Sequence, residues 1–289
     1  MIEISGLQKS FGAKKVLDGI DLTVPDGSIF GLVGINGAGK STLLRLLSGV
    51  LRADGGSVRI GGQEVYDCPA AKKELFFLPD DPYYAADTTA QKLIELYSAF
   101  YPFHTDVYEQ YEQRFRLARK APLRTFSKGM KRQLFTALAL ACRPRYLFLD
   151  EAFDGLDPLA RLECKRGLIV LQEERESTVI ISSHSLRELE DICSGFALLD
   201  GGQIADSGDL QGALEQVTKF QVALSHEARR EDFPFACVSF EASGRVAKLI
   251  VRGDKEAYLA ELDKLHPLFI EEIPVDFEEL FICEVKNRG

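Results

Sequence analysis

The sequence lacks a long apolar run, since no uncharged apolar stretch approaches the roughly 20 residues that span a bilayer. Its first residues, Met1 to Ile4, also lack the basic region and following apolar segment of a secretion signal. We therefore expect a chain that neither crosses a membrane nor is secreted.

Cys-x-x-Cys pairs are also missing. The six cysteines are spread among apolar neighbours: Cys68, Cys142, Cys164, Cys193, Cys237 and Cys283. This distribution is typical of buried thiols in a reducing cytosol, so neither zinc nor disulfides are expected.

The chain has no excess of positive charge, because 44 acidic residues outweigh 35 basic ones and give a formal net charge of −9. Such a balance provides no general attraction for phosphate backbones or anionic lipid, so no nucleic-acid partner is expected. The composition, 46% hydrophobic and 27% charged, is that of a folded protein. Its 289 residues suit one large domain with at most one small companion.

Short apolar runs alternate with segments of helical period, a pattern typical of the α/β class. The runs predicted as buried strands are 2–7, 19–24, 28–33, 57–60, 75–78, 146–149, 178–182 and 196–199. Two charged helical segments, 90–101 and 106–117, fall between two of these strands. They predict a helical subdomain inserted at about residues 80–142.

A dense group of glycines late in the chain predicts a domain boundary near Gly212. Beyond it the pattern restarts in a different order, with strands predicted at 219–224, 235–241 and 246–251 and a helix at 255–265. The predicted organisation is a large α/β domain over 1–211 and a small α+β accessory domain over 212–289.

The strongest chemical signal is a glycine-rich loop between a predicted strand, 29–33, and a predicted helix, 42–48. It reads Gly34-Ile35-Asn36-Gly37-Ala38-Gly39-Lys40-Ser41-Thr42. Its backbone N–H groups and the helix N-terminus suit phosphates, Lys40 can bridge the β- and γ-phosphates, and the Ser41 hydroxyl can bind Mg²⁺. An accidental glycine turn before a helix is the alternative.

Two consecutive carboxylates, Asp150 and Glu151, follow the apolar strand at 146–149. Asp150 can hold Mg²⁺ directly or through water, and Glu151, one residue further out, can accept a proton from an attacking water. Solvated acids at a strand end are the alternative.

Five motifs follow one another in an order that resembles the ATP-binding subunit of ABC transporters over residues 1–211. They are the glycine-rich loop, Ser127-Lys128-Gly129, Asp150-Glu151, Gly155-Leu156-Asp157 and Ser182-Ser183-His184. The resemblance implies an α/β P-loop ATPase with a mixed sheet core, an inserted helical subdomain and a small C-terminal α+β domain. The Ser-Lys-Gly-Met sequence, Ser127 to Met130, resembles the version of this motif in the branch of bacterial ATPases that serve exporters of drugs, peptides or lipids.

The resemblance also implies roles for single residues. Ser127 and Gly129 would reach across a dimer to the γ-phosphate held by the partner, although the same residues also suit an ordinary capped helix. His184 would bind the γ-phosphate and the attacking water, with helix capping before Ser185 as the alternative. Asp157 would contact the partner, and Phe11 would stack on adenine unless it belongs to the core.

Two residues depart from the family pattern. Met130 stands where the signature usually ends in glutamine, and Asp80 stands where the family carries a glutamine that touches Mg²⁺. An acid at position 80 can still bind Mg²⁺, but it adds negative charge beside the phosphates. A turn-forming Asp-Pro pair is an equal interpretation.

The function implied is hydrolysis of ATP with Mg²⁺ by two subunits, identical or different, that close on nucleotide and drive a membrane-spanning permease. The chain would lie on the cytoplasmic face of the membrane and serve an exporter. The alternative is a soluble ATPase of the same superfamily acting on nucleic acid or ribosomes, which the acidic balance disfavours. A kinase or GTPase would leave Ser127 and His184 without a role, and no Asn-Lys-x-Asp motif is present.

Overall fold

The computed structural model describes residues 1–184, 186–275 and 279. The chain divides into two compact units, Met1–Ser207 and Gly208–Gly289. Each unit has its own apolar core. Within the described ranges, no helix is both long and apolar enough to span a membrane.

The regular elements alternate along the chain. The strands are β1 (Ile2–Phe11), β2 (Lys14–Val24), β3 (Ile29–Val33), β4 (Gly55–Ile60), β5 (Gln63–Glu64), β6 (Leu75–Leu78), β7 (Tyr146–Asp150), β8 (Thr178–Ser183), β9 (Gly195–Asp200), β10 (Gln203–Asp209), β11 (Val217–Ala223), β12 (Ser239–Ser243), β13 (Val246–Arg252) and β14 (Phe269–Ile273). The helices are α1 (Lys40–Leu47), α2 (Pro69–Lys73), α3 (Ala90–Ser98), α4 (Thr105–Phe115), α5 (Lys128–Cys142), α6 (Pro158–Arg175), α7 (Leu210–Glu215) and α8 (Lys255–Asp263).

The central sheet of the first unit has the described strand order β10-β9-β3-β8-β7-β6. Strand β3 pairs in parallel with β8 and β9, and β7 pairs in parallel with β6 and β8. A second, antiparallel sheet has the order β2-β1-β4-β5. The predicted α/β class with a mixed sheet core is confirmed. Because parallel strands end at one edge, the segments after β3, β7 and β8 meet there.

The helical insert lies between β6 and β7 and contains α3, α4 and α5. Helix α5 begins at Lys128, because the Ser127 hydroxyl accepts a hydrogen bond from the Met130 N–H at 3.1 Å. Gly129 therefore lies in the first turn of a helix rather than in a preceding loop.

Helix α6 was not predicted, although its start carries a clear signal. Asp157 accepts a hydrogen bond from the Ala160 N–H at 2.9 Å, and Pro158 occupies the first helical position. The helix ends at Arg175, and its C-cap residue, Glu176, adopts a left-handed conformation with φ of 53°. The many charged residues between 158 and 175 hide the apolar stripe that packs inward.

The second unit contains an antiparallel sheet of described order β12-β13-β11-β14, with α8. The predicted strand over 235–241 is wrong in its first half, since β12 begins at Ser239. Arg230 explains the difference, because its guanidinium binds the carbonyls of Phe233 and Phe235 at 2.6 and 2.7 Å and holds that segment in a loop. Strand β14 was not predicted.

Cysteines in the described part of the chain are free thiols: Cys68, Cys142, Cys164, Cys193 and Cys237. Cys283 lies outside the described residues, as does Ser185, the first residue of the predicted capping box.

Candidate functional site

A cleft of about 620 Å³ lies where the parallel strands end. Most of the predicted site residues line it: Phe11, Asn36, Gly37, Gly39, Lys40, Ser41, Thr42, Asp80, Glu151 and His184. Residues that were not predicted also contribute, namely Lys14, Val16 and Asp154. The structure therefore gathers side chains from segments far apart in sequence into one site.

Close packing explains two glycines of the glycine-rich loop. A Cβ at Gly34 would lie 2.3 Å from the carbonyl oxygen of Leu199. Gly39 has a φ of 111°, and a Cβ there would lie 2.8 Å from Leu17 Cδ2. Between them Ala38 is buried in the core. The loop is thus fixed against the sheet, with α1 starting directly after it at Lys40.

The ammonium group of Lys40 is buried, with 5% of the residue exposed. It donates a hydrogen bond to the Gly34 carbonyl at 2.7 Å and lies 3.2 Å from Glu151 Oε1. A buried positive charge at the start of a helix, beside loop N–H groups, is suited to an anionic phosphate.

Asp150 is almost fully buried at the end of β7. Its Oδ1 accepts hydrogen bonds from the hydroxyls of Ser41 at 3.1 Å and Ser182 at 2.7 Å. Its Oδ2 is buried and has no hydrogen-bond partner among the described residues. A free carboxylate oxygen next to a serine hydroxyl fits Mg²⁺, which uses one or two protein carboxylates and completes its shell with water and phosphate. In the described part of the chain, no cluster of three or more His, Cys, Asp or Glu side chains forms an all-protein metal site.

Glu151 is held in a left-handed conformation with φ of 49°. Its N–H donates to both the carbonyl and the hydroxyl oxygen of Ser182, at 3.2 and 3.0 Å. Its Oε2 lies 2.9 Å from Nδ1 of His184, while Oε1 faces Lys40. A carboxylate held by strained backbone in the cleft, beside a histidine, is suited to act as a general base in a reaction on phosphate.

Ser182 is a site residue for which the sequence predicts no separate role. The parallel register of β7 and β8 pairs Asp150 with Ser182, so its hydroxyl reaches both carboxylate-bearing residues. The only available signal was its place immediately before Ser183-His184, since strand register is not readable from a single sequence.

Asp80 lines the cleft, but its carboxylate already has a partner. It forms an ion pair with Nη2 of Arg132, a residue of α5 that is 3% exposed. Arg132 was not predicted as a site residue, and no local motif would have revealed this long-range pairing.

Six predicted residues do not line the cleft. Gly34, Ala38 and Asp150 belong to the packed loop and strand end described above, whereas Ser127, Gly129 and Asp157 lie at the starts of α5 and α6. Ser127 and Asp157 cap α5 and α6, as described above. Gly129 lies against a neighbouring loop, because a Cβ there would be 2.8 Å from the Gly155 carbonyl oxygen. The start of α5 therefore packs beside the segment that follows Glu151.

An ion pair reinforces that contact. Lys128 binds Asp154, and this hydrogen bond lowers the pKa of the Asp154 carboxyl below its ordinary value. A basic side chain at the start of α5 thus compensates an acid on the cleft wall.

Phe11 is 49% exposed at the cleft, so assigning it to the core is wrong. The Lys9 ammonium lies 5.5 Å from the centre of its ring. The position leaves ring surface that a planar base can stack on.

Comparison with known proteins gives a consistent set of similarities. A family model described as ABC transporter matches residues 17–154. The ABC transporter ATP-binding protein YtrB of Bacillus subtilis (strain 168) is 30% identical, with all of this chain aligned to 99% of that protein. The Nod factor export ATP-binding protein I of Rhizobium sp. (strain N33) is 33% identical over 76% of this chain and 75% of its own length.

A solved structure titled as the ATP binding subunit of an ABC transporter superposes with a TM-score of 0.68 and 27% identity. The similarity covers 75% of this chain and 92% of that one.

Proposed function

Because this chain belongs to the ATP-binding proteins of the ABC transporter family and is an ATPase, we propose that it powers a membrane exporter through nucleotide-driven dimer closure. The observation that carries the catalytic part is the contact of one carboxylate, Glu151, with both Lys40 and His184 in the cleft. The end-to-end similarity to YtrB supports the transporter part.

The glycine-rich loop would hold the triphosphate. Backbone N–H groups between Gly34 and Thr42 would cradle the phosphates, with Asn36, Gly37 and Ala38 forming the turn. Lys40 would contact the β- and γ-phosphates, exchanging its contact with Glu151 for phosphate oxygens. Phe11 would stack on the adenine at the cleft mouth.

Hydrolysis would use Glu151 as the general base. A water oxygen bonds to the γ-phosphorus, its proton passes to Glu151, and the bond to the β–γ bridging oxygen breaks to give ADP and phosphate. His184, 2.9 Å from the same carboxylate, would orient the water and bind the γ-phosphate. Ser182 keeps the Glu151 backbone in place.

Mg²⁺ would be held by Asp150 and Ser41, and would neutralise phosphate charge when bound. The unpartnered Oδ2 of Asp150 supports this assignment. Asp80 is the weaker metal candidate, because its carboxylate is paired with Arg132.

A second ATP-binding subunit, identical or different, would complete each site. Ser127, Gly129 and Asp157 lie outside the cleft of their own chain, which supports their use on a partner's nucleotide. The free N–H groups at the start of α5 would then meet the γ-phosphate.

Export through a membrane-spanning permease is the proposed output. The name of the Rhizobium relative, which specifies export, supports the direction. We place the chain on the cytoplasmic face of the membrane, with the helical insert at 80–142 transmitting the movement. Residues 1–211 would form the ATPase domain and 212–289 the accessory domain, and no nucleic-acid partner is proposed.

The oligomeric state of the Glu151→Gln variant tests the mechanism. With MgATP, light scattering should show a particle of twice the 32.1 kDa chain mass, while Lys40→Ala stays monomeric. Ser127→Arg in the Glu151→Gln background should abolish the dimer without preventing nucleotide binding. A Glu151→Gln protein that binds ATP but remains at 32.1 kDa contradicts closure of two identical copies.

The membrane partner needs a separate experiment. Affinity purification of the tagged chain from detergent-solubilised native membranes should recover a protein with about six spanning segments. Recovery of ribosomal or nucleic-acid complexes instead would favour the soluble ATPase class.

A further inference from the structure

Arg132 is a buried charge near the cleft. Nη2 is ion-paired with Asp80, and Nη1 donates to the carbonyls of Asp150 and Pro79 at 3.3 and 3.5 Å. Nε is buried and has no partner among the described residues. One side chain thus joins α5, the end of β7 and the loop after β6.

The charge of Arg132 depends on Asp80. A buried cation is costly unless a carboxylate compensates it, and the carbonyl contacts are long and neutral. Among the described ion pairs, Asp80 supplies the carboxylate for Arg132. Movement of Asp80 onto a metal ion would leave this buried guanidinium without an ion-pair partner, since Asp154, the other acid that interacts with it, is engaged by Lys128. The geometry therefore favours Asp80 remaining on Arg132.

The dependence also runs the other way. Asp80 is half-exposed and lines the cleft that holds Lys40, so an uncompensated carboxylate there would repel a triphosphate. Arg132 removes most of that repulsion because it neutralises the acid from the protein side. The pair therefore places a net neutral group where a lone Asp80 would oppose nucleotide.

Geometry adds a second role. Arg132 holds the carbonyl of Asp150, whose side chain meets Ser41 and whose successor is Glu151. Arg132 lies five residues after Ser127. Its hydrogen bond therefore ties α5, which Ser127 caps, to the end of β7.

We propose that Arg132 is a positioning residue for ATP hydrolysis, which neutralises Asp80 beside the phosphates and fixes the end of β7 relative to α5. The proposal rests on the proposed assignment of this cleft as the site of ATP hydrolysis. It assigns Asp80 to Arg132 rather than to Mg²⁺.

Four variants of the full-length chain separate the charge from the geometry: Arg132→Met, Arg132→Lys, Asp80→Asn and the double variant Arg132→Met with Asp80→Asn. KM and kcat for ATP are measured for each, together with ATP binding by calorimetry. Arg132→Met should raise KM about tenfold because Asp80 is left uncompensated, and should lower kcat. In the double variant KM should return to within about twofold of wild type, with kcat still low.

Arg132→Lys should keep KM near the wild-type value, because the charge remains, but should lower kcat because the planar fork that reaches two elements is lost. If Arg132 only stabilised the fold, every variant would contain less active protein. KM would then stay the same in all of them, instead of rising in Arg132→Met alone. A KM unchanged in Arg132→Met, or not restored in the double variant, overturns the charge role.

A matched control lies at the other end of the same helix. Arg143 binds Glu174 at 2.8 Å, also pairing a partly buried guanidinium with an exposed carboxylate. Arg143→Met should leave both constants unchanged. If Arg132→Met does not fold, the Asp80→Asn variant tests the proposal instead. Its kcat should fall while its KM for ATP stays unchanged or becomes lower. An unchanged kcat in Asp80→Asn overturns the proposal. Wild-type protein that does not bind MgATP would instead refute the proposed function.

Discussion

Lys40 Nζ and Glu151 Oε1 lie 3.2 Å apart in the cleft, so the lysine proposed to bind phosphate and the proposed base are ion-paired with each other. A triphosphate would compete with Glu151 for the same ammonium group. Once Lys40 turns to phosphate, the Glu151 carboxylate is released from this contact and can meet the attacking water. Binding and activation of the base are thereby linked through one contact.

Replacing Glu151 by Gln should leave ATP affinity equal to or higher than that of wild type, because the competitor for Lys40 loses its charge. Hydrolysis should fall by about a hundredfold or more, since no general base remains. Calorimetry measures the affinity and phosphate release measures the rate. Glu173→Gln, at an exposed position of α6, is the control and should behave as wild type. Full hydrolysis by the Glu151 variant would remove this residue from its role.

Replacing Lys40 by Ala should weaken ATP binding by at least about tenfold, because the phosphates lose a buried, charge-assisted donor. The thermal shift that MgATP produces in wild-type protein should then disappear. Lys73→Ala, at an exposed position of α2, should keep the shift. An equal shift in both variants would show that nucleotide binds elsewhere.

Ser182→Ala should reduce both stability and turnover. The buried hydroxyl donates to Asp150 and accepts from the Glu151 N–H, so its loss should cost about 1–3 kcal/mol of unfolding free energy and misplace the base. Urea unfolding and kcat give the two readouts. Ser177 is an equally buried serine whose hydroxyl binds the Pro144 carbonyl. Ser177→Ala should lose similar stability but keep kcat, and equal kcat values for the two variants would contradict a positioning role for Ser182.

The parts of the site that could be predicted are those encoded locally. The glycine-rich loop and Asp150-Glu151 carry their chemistry in consecutive residues at the ends of apolar strands, and parallel pairing then brings them to one edge. Ser182 and Arg132 were missed because their roles arise from strand register and from a contact between residues far apart in sequence.

In the fold, too, the elements that could be predicted are those with a clear local pattern. Buried strands such as β3 and β6 stand out as apolar runs, whereas α6 is rich in charge and reveals itself mainly through its Asp157-Pro158 start. The strands of the second unit were harder to predict, because the start of β12 depends on hydrogen bonds from the Arg230 side chain to the preceding loop.

The buried thiols of Cys142 and Cys164 should resist alkylation. Burial raises the pKa of each to about 12, so the reactive thiolate is scarce at neutral pH and increases only as pH approaches that value. Iodoacetamide at pH 8 should modify the half-buried Cys68 first, and mass spectrometry locates the label. A Cys283→Ser background removes the one cysteine outside the described residues. Modification of Cys142 as fast as Cys68 in folded protein would contradict the prediction.

A chain ending at Gln211 should still bind ATP. The residues that line the cleft all lie in the first compact unit, and that unit has an apolar core of its own. An independent core is what allows a domain to fold alone, so the dissociation constant for MgATP should stay within about threefold of the full-length value. Calorimetry on both proteins measures it, with Lys40→Ala in the shorter chain as the negative control. A folded 1–211 protein that no longer binds nucleotide would show that residues 212–289 contribute directly to the site, and aggregation of that protein would place the domain boundary elsewhere.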